Sequence, residues 1–417
     1  MDIKKDKNIK KFGFYGLLKN LKFFEPFLYI FFLSLGFSFF QIGSLISIRE
    51  ITKNIFEVPS GVFADNYGRK TSLQICFVSY IISFIIFYFG EIYLVIAAAM
   101  ILFGIGEAFR SGTHKAIIFL YLDENNIPEK KTEVYGRTRS YSLIGSSISA
   151  VIGGFIVFVE SNYRLIFLFS VIPYILDFIL ISTYPNYLNG KISEQIGLKD
   201  VVKSGLLSIK NLFNKLTELR KGIINSGVYD GFFKVLKDYL QPILKAEILS
   251  ISLFSFISSQ EKRLSIFLGF SYAVIYLLSS FASRKAFKIM DRFKDLISAL
   301  NKMYLITTLF IFLIALTINS SYSFIIILLF IAYYIIRSIR RPIMLDYIAN
   351  IMEEKERATM LSIESQFRTI FIIFTAPAVG FIADLWGLKA MFYIVFLIML
   401  LVMFLIKISS FNEETIE

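Results

Sequence analysis

The chain has 417 residues, 56% of them apolar and only 18% charged, with 46 Phe, 23 Tyr and a mean hydropathy of +0.66. A soluble domain carries about 25% charged and about 45–50% apolar residues, so this excess cannot be hidden in one or two globular cores. One cysteine (Cys76) excludes internal disulfides and Cys-based metal sites, and one histidine (His114) argues against His-rich metal centres and His relays. The composition is that of a polytopic membrane protein for which no metal or cofactor is expected.

The first stretch, Met1 to Lys22, holds seven Lys against two Asp and runs into an uncleaved apolar segment, unlike a cleavable signal peptide. A spanning helix needs about 20 mostly apolar residues. That ruler predicts twelve spans. The first six fall near 18–38, 41–64, 71–90, 93–118, 134–158 and 163–184. The second six fall near 234–255, 264–283, 296–317, 322–345, 358–382 and 387–408. Between the sets lies a basic linker, 185–225. Its apolar residues (Val201, Val202, Leu206, Leu207, Leu212, Phe213, Leu216) recur at helical spacing beside lysines, as in a helix lying on a membrane surface.

The net charge of +12 is placed by topology. With both termini inside, most Lys and Arg fall in inner segments, while Arg164, Lys262, Arg263 and Lys389 mark the outer ones. The loops Gly90–Tyr93 and Asn319–Ser323 have no basic residue. This is a positive-inside pattern and not a nucleic-acid footprint. The apolar runs are too long, and alternate too little, for a β-barrel.

The two sets also match each other at a nearly constant offset. Asp65 corresponds to Asp291, Arg110-Ser111 to Arg337-Ser338, and Ser149-Ala150 with Gly154-Phe155 to Thr375-Ala376 with Gly380-Phe381. Glu25-Pro26-Phe27-Leu28 matches Gln241-Pro242-Ile243-Leu244 at a smaller offset, which supports span 7 despite its polar start (Asp230, Lys234, Lys237, Asp238). The expected organisation is an N-terminal six-helix bundle (1–184), a cytoplasmic linker with an amphipathic helix (185–225) and a C-terminal six-helix bundle (226–417). Two parallel repeats of this kind form a transporter architecture with substrate held between them.

After span 2 the chain reads Gly61-Val-Phe-Ala-Asp65-Asn-Tyr-Gly68-Arg69-Lys70, preceded by Glu57-Val-Pro59-Ser60. This loop resembles the signature of the major facilitator superfamily (MFS), and the extension is similar to drug-efflux-type and uncharacterised bacterial members. The resemblance implies twelve transmembrane helices in two six-helix repeats. It also implies that Asp65 and Arg69 latch the cytoplasmic side. An aspartate at a helix C-terminus faces the negative end of the dipole and needs a cation or another helix N-terminus to meet it. In span 5, Gly145-xxx-Ser149-Ala150-xx-Gly153-Gly154 resembles the family's antiporter motif, with Ser149 and Ala150 where a glycine and a proline would stand. Small residues at this spacing equally serve close helix packing. Span 4, around Glu107, departs from the efflux pattern.

Ionisable groups at membrane depth are costly and are therefore functional candidates. Glu50, Lys53, Asn54 and Glu57 share one face of span 2, answered in span 8 by Tyr276, Ser279, Ser280 and Ser283. Glu107, Arg110 and His114 form a stripe on span 4, and Glu364 and Arg368 stand one turn apart on span 11. Asp177 and Glu25 stand more alone. Glu50 or Glu107 is the proton-binding candidate, modulated by Arg49 or Arg110, because a carboxyl removed from water holds its proton more firmly. The competing reading makes Glu50–Lys53–Glu57 and Glu107–Arg110 intrahelical salt bridges. His114 reads as a solvated helix end beside Lys115.

The expected function is secondary active transport of a small organic solute across the cytoplasmic membrane by a monomer with both termini inside. Proton-coupled export is the first reading, with amphipathic or cationic compounds the first to consider, and proton-coupled metabolite import the alternative. A membrane-embedded enzyme and a non-transporting sensor are the rivals from other classes. No GxxxxGK[ST] loop for ATP is present in the sequence.

Overall fold

The computed structural model describes residues 5–190, 217–248, 256–257, 259–290, 295–320, 323–351 and 357–408. The expected surface helix of the linker (Val201 to Leu216) and the loop holding Asp291 lie outside the described residues. Every regular element among the described residues is helical.

Span 1 begins earlier than expected. Its first helix is Lys7–Leu18, capped by the Asp6 carboxylate, which accepts the Ile9 N–H at 2.7 Å. Ile9, Phe12 and Tyr15, three residues apart, form its buried face. The helix then stops, and a 3₁₀ turn at Glu25–Phe27 leads into Leu28–Ser34. Pro26 stands in the first turn of the restarted helix, where its missing N–H costs no intrahelical hydrogen bond. Span 6 (Leu165–Ser182) supplies what the broken backbone needs: the Tyr174 hydroxyl donates to the Lys19 carbonyl at 2.8 Å, and the Ser170 hydroxyl accepts the Phe23 N–H at 3.1 Å. Non-helical backbone at membrane depth survives only when its groups are satisfied inside the protein.

Span 2 is one helix, Phe39–Tyr67, and span 3 follows as Arg69–Phe89. Span 4 is two helices, Tyr93–Arg110 and Thr113–Glu124, hinged at Gly112 with φ +73°. Hydroxyls again serve the freed carbonyls: Ser60 donates to Ala108 (3.0 Å), and Ser72 and Thr113 to Phe109 (3.2 and 2.8 Å). Span 5 is Lys131–Glu160.

Span 7 opens at Thr217, well before the expected 234, and runs to Leu236 before a short turn and a second helix, Leu240–Glu247. Its first turns are anchored by Leu219 and Ile223, which join Ile343, Met344 and Tyr347 of span 10 in one apolar cluster. Span 7 is thus interrupted just ahead of Pro242, as span 1 is around Pro26, its counterpart in the repeat. Spans 8, 9 and 10 are Gln260–Met290, Leu296–Thr317 and Ser323–Asn350. Spans 11 and 12 lie within Arg357–Leu405 and part at Gly387, where φ is +80°. By length and composition, seven helices among the described residues are apolar enough to cross a membrane. The other crossings carry charges or breaks that shorten their apolar windows.

Two compact units emerge from the contacts. One contains Met1–Phe37, Ile48–Val202 and Phe254–Leu277; the other contains Ser38–Ser47, Lys203–Leu253 and Leu278–Glu417. The repeated small-residue motif explains why each takes in a distant piece of chain. In the first unit, Gly154 of span 5 meets Gly269 of span 8, and the Ser147 hydroxyl donates to the Ala273 carbonyl at 3.2 Å. In the second, Gly43 of span 2 lies against Ala376 of span 11, and the Ser47 hydroxyl donates to the Ile373 carbonyl at 2.7 Å. The Asp384 carboxylate then accepts the N–H groups of Phe39 and Phe40 at 2.9 and 2.8 Å. Without a hydrophobic drive between helices in lipid, close approach of this kind carries much of the association.

Gly145 and Gly153 bring span 5 against span 1, where a Cβ would collide with the carbonyls of Leu17 and Phe23. Gly136, on the same helix, faces open space. Gly153→Leu is expected to destabilise the protein by about 1–3 kcal/mol, whereas Gly136→Ala should be neutral or stabilising by up to about 1 kcal/mol. Thermal unfolding in detergent compares the two.

Candidate functional site

The signature loop is built on Gly68, whose φ of +102° lets the chain turn between spans 2 and 3. The turn fastens to the short helix after span 6. The Lys70 N–H donates to the Asn189 side chain at 3.0 Å, and its ammonium donates to the Tyr184 carbonyl at 2.6 Å. Arg69 donates to the Ala116 carbonyl at 3.4 Å. Asp65 is exposed on the last turn of span 2 and forms no ion pair among the described residues, and Gly61 faces open space. The loop therefore presents a carboxylate at the end of a helix dipole that disfavours it, while its basic residues are tied down.

In the same unit the breaks of spans 1 and 4 bring charge together. Lys22 reaches Glu107 at 4.0 Å and lies 5.1 Å from the Phe103 ring centroid. Arg110 donates to the Tyr80 hydroxyl at 3.2 Å. Glu50, wholly buried, pairs with the adjacent Arg49 at 2.8 Å, and Lys53 forms no ion pair among the described residues, so the expected Glu50–Lys53–Glu57 ladder does not form. Glu57 instead accepts a hydrogen bond from Ser111 (3.1 Å) at the hinge of span 4. The helical spacing placed these groups on one face, but Glu50 pairs with its chain neighbour and Glu57 with a residue of another span.

His114 departs from its expected place. It is buried, stacked on Tyr15 at 3.5 Å between ring centroids, and its Nε2 lies 3.1 Å from the Tyr184 hydroxyl. The helix that restarts after Gly112 carries His114 on its buried face, although the next residue, Lys115, is exposed. Asp177 is wholly buried in span 6, and neither of its carboxylate oxygens has a hydrogen-bond partner among the described residues. Cys76 is buried in span 3, and Glu25 opens the 3₁₀ turn of span 1.

The second unit holds the densest charge cluster. Asp230 of span 7 accepts from Arg337 (2.9 Å) and Arg341 (2.8 Å) of span 10. Arg341 also grips Glu364 of span 11 through both terminal nitrogens, at 2.6 and 2.9 Å. The Ser226 hydroxyl donates to the same carboxylate at 2.8 Å, and Arg368, one turn along, approaches it at 3.4 Å. Arg340 is almost wholly buried, 4.1 Å above the Tyr229 ring, and donates to Asn225. Charges survive this burial only as hydrogen-bonded pairs. The sequence reading found Glu364 and Arg368 by spacing, but missed Arg340 and Arg341 and took Asp230 for a polar helix start. The available signal was Arg337-xx-Arg340-Arg341 at helical spacing within an apolar run.

Removing one partner from this cluster should cost about 3–5 kcal/mol, because buried charge is left unmatched. Glu364→Gln is therefore expected to lower the unfolding temperature markedly. Adding Arg341→Met in the same molecule should recover part of the loss, which thermal unfolding of the single and double variants would show.

Residues 20–332 match the family model described as Major Facilitator Superfamily. The chain is 26% identical over 386 residues to the uncharacterised MFS-type transporter YxaM of Bacillus subtilis (strain 168), covering 91% of this chain and 89% of that one. Its fold is similar to that of a point variant of the nucleoside transporter NupG (TM-score 0.79, 12% identity, 95% of this chain and 98% of that one). It is also similar to the D-xylose-proton symporter (TM-score 0.70, 15% identity, 96% of each chain). On the strength of the family model, which spans most of the sequence, this all-α multi-pass membrane chain belongs to the Major Facilitator Superfamily and is a transporter, not an enzyme.

Proposed function

We propose that the chain is a proton-coupled secondary transporter that exports a small organic solute by alternating access. The moving bodies in this reading are the repeat halves 1–184 and 226–417, joined by 185–225, in a monomer of the cytoplasmic membrane with both termini inside. The observation that carries the coupling is the contact between Lys22 and Glu107 at 4.0 Å, where the breaks of spans 1 and 4 meet. Glu364 is gripped bidentately by an arginine; Glu107 faces its lysine at the limit of an ion pair. A half-buried carboxyl facing a lysine at the meeting of two broken helices can change its protonation with small rearrangements of its neighbour. Glu50, held by Arg49, is the second proton candidate, with Glu57, Asp177 and Glu25 behind it.

Export is supported by the efflux-type stretch Glu57 to Lys70 and by the antiporter-like run from Gly145 to Gly154. Uptake with protons is the second reading, favoured by the likeness of fold to a D-xylose-proton symporter. In proteoliposomes under an imposed proton gradient, solute-driven loss of the gradient in exchange for solute separates export from co-transport by its sign. Glu107→Gln is expected to abolish pH-driven flux while leaving solute exchange without a gradient; full pH-driven flux in that variant would overturn the assignment.

The gate of this cycle is Asp65 with Arg69. An exposed carboxylate at a helix C-terminus is poised to accept a cation or a helix N-terminus when the inner side closes. Asp65→Asn should cut transport at least about tenfold, equivalent to about 1.4 kcal/mol, with no fall in the unfolding temperature. Normal flux would remove Asp65 from the gate.

A further inference from the structure

A cavity of about 290 Å³ lies in the first unit, where the hinge of span 4 and the end of the first helix of span 1 face span 5. Lys19, Arg110, Lys115 and Arg139 line it, and no carboxylate does. None of these four cations has an ion-pair partner among the described residues. Lys19 lies 5.4 Å from the Tyr15 ring centroid, and Lys115 lies 5.2 and 5.5 Å from those of Phe119 and Tyr135. Arg110 spends its Nε–H on Tyr80, which leaves its terminal nitrogens without hydrogen bonds among the described residues.

The backbone adds charge of the same sign. Gly112 lines the cavity and caps the 12-residue helix Thr113–Glu124, whose first turn carries no acidic residue and holds Lys115 instead. A cation is unfavourable at the positive end of a helix dipole, and an anion there is favourable. The Tyr15 hydroxyl, on a buried residue of the same wall, also lacks a hydrogen-bond partner. Ser142 presents a hydroxyl whose proton is already given to the Thr138 carbonyl at 3.2 Å.

We propose that this cavity is an anion site, formed by Lys19, Arg110, Lys115 and Arg139, that takes a small organic carboxylate or phosphate monoester. Guanidinium and ammonium groups converging on one space without a carboxylate match that chemistry and repel cationic solutes. As a substrate site it rests on the transporter reading; as a binding site it does not. A phospholipid headgroup carries the same phosphate chemistry as a soluble anion.

The test is calorimetric titration of the full chain in phosphatidylcholine nanodiscs with glucose 6-phosphate, citrate and uncharged glucose. The expected result is saturable binding of at least one anion and none of glucose. Lys115→Gln and Arg139→Gln, both of exposed side chains, should each weaken it about tenfold. Anion binding that disappears when phosphatidylglycerol is included identifies a lipid phosphate as the occupant; binding that persists identifies a soluble one. No saturable binding in discs of either composition, or affinity unchanged in both variants, overturns the proposal. Anion binding without flux in proteoliposomes keeps the site and removes the transport reading. Flux of an uncharged solute with no anion binding does the reverse.

Discussion

The ion pairs and broken helices described above answer to one constraint: at membrane depth there is little water to accept what the protein leaves unmatched. The cluster around Arg341 shows the constraint met for charge, with one guanidinium joining carboxylates from spans 7 and 11. The interruptions of spans 1 and 4 show it met for backbone. There, side chains of Ser60, Ser72, Ser170 and Tyr174 reach across from neighbouring helices to the freed carbonyl and N–H groups. The breaks can exist because those side chains do, and the breaks in turn bring Lys22 and Glu107 within reach of each other.

The same constraint separates two kinds of helix surface. Glycine and serine stripes on spans 2, 5, 8 and 11 form close seams in which backbones nearly touch. The ion pairs between helices join spans 1 and 4 in one unit and spans 7, 10 and 11 in the other, so span 11 carries a charged stretch, Glu364 to Arg368, as well as its seam at Thr375 to Gly380. Close packing tolerates no long side chain, and a charged side chain needs room for its partners. The two duties therefore fall on different turns of spans 2 and 11, and on different residues throughout.

Much of this was legible in the sequence. Apolar runs located the helices, and the repeated Ser/Thr-Ala and Gly-Phe pairs of spans 5 and 11 marked what became the two glycine seams. The match between Pro26 and Pro242 foretold that spans 1 and 7 would resemble each other. Their lengths were not legible, because both begin with polar turns whose burial depends on distant residues: Ile9 and Phe12 in one case, Leu219 against Tyr347 in the other. Partner choice was hidden for the same reason. Spacing puts Glu50 and Lys53 on one face and sets Arg49 beside Glu50, but only the packed fold shows Lys53 without an ion pair among the described residues and Glu57 taken by Ser111. His114 does not lie at a solvated helix end because distant Tyr15 and Tyr184 pack against it, which spacing within span 4 does not reveal.

The burial of Cys76 has a practical side. As the chain's one thiol, wholly enclosed in span 3, it is shielded from water-borne alkylating reagents. A cysteine introduced at an exposed position is then the first sulfur that a maleimide meets in the native protein. Fluorophores or spin probes can be placed one at a time, or in pairs across the repeat, without first stripping the natural residue from a packed wall. The fold thus comes nearly ready for distance measurements during a transport cycle.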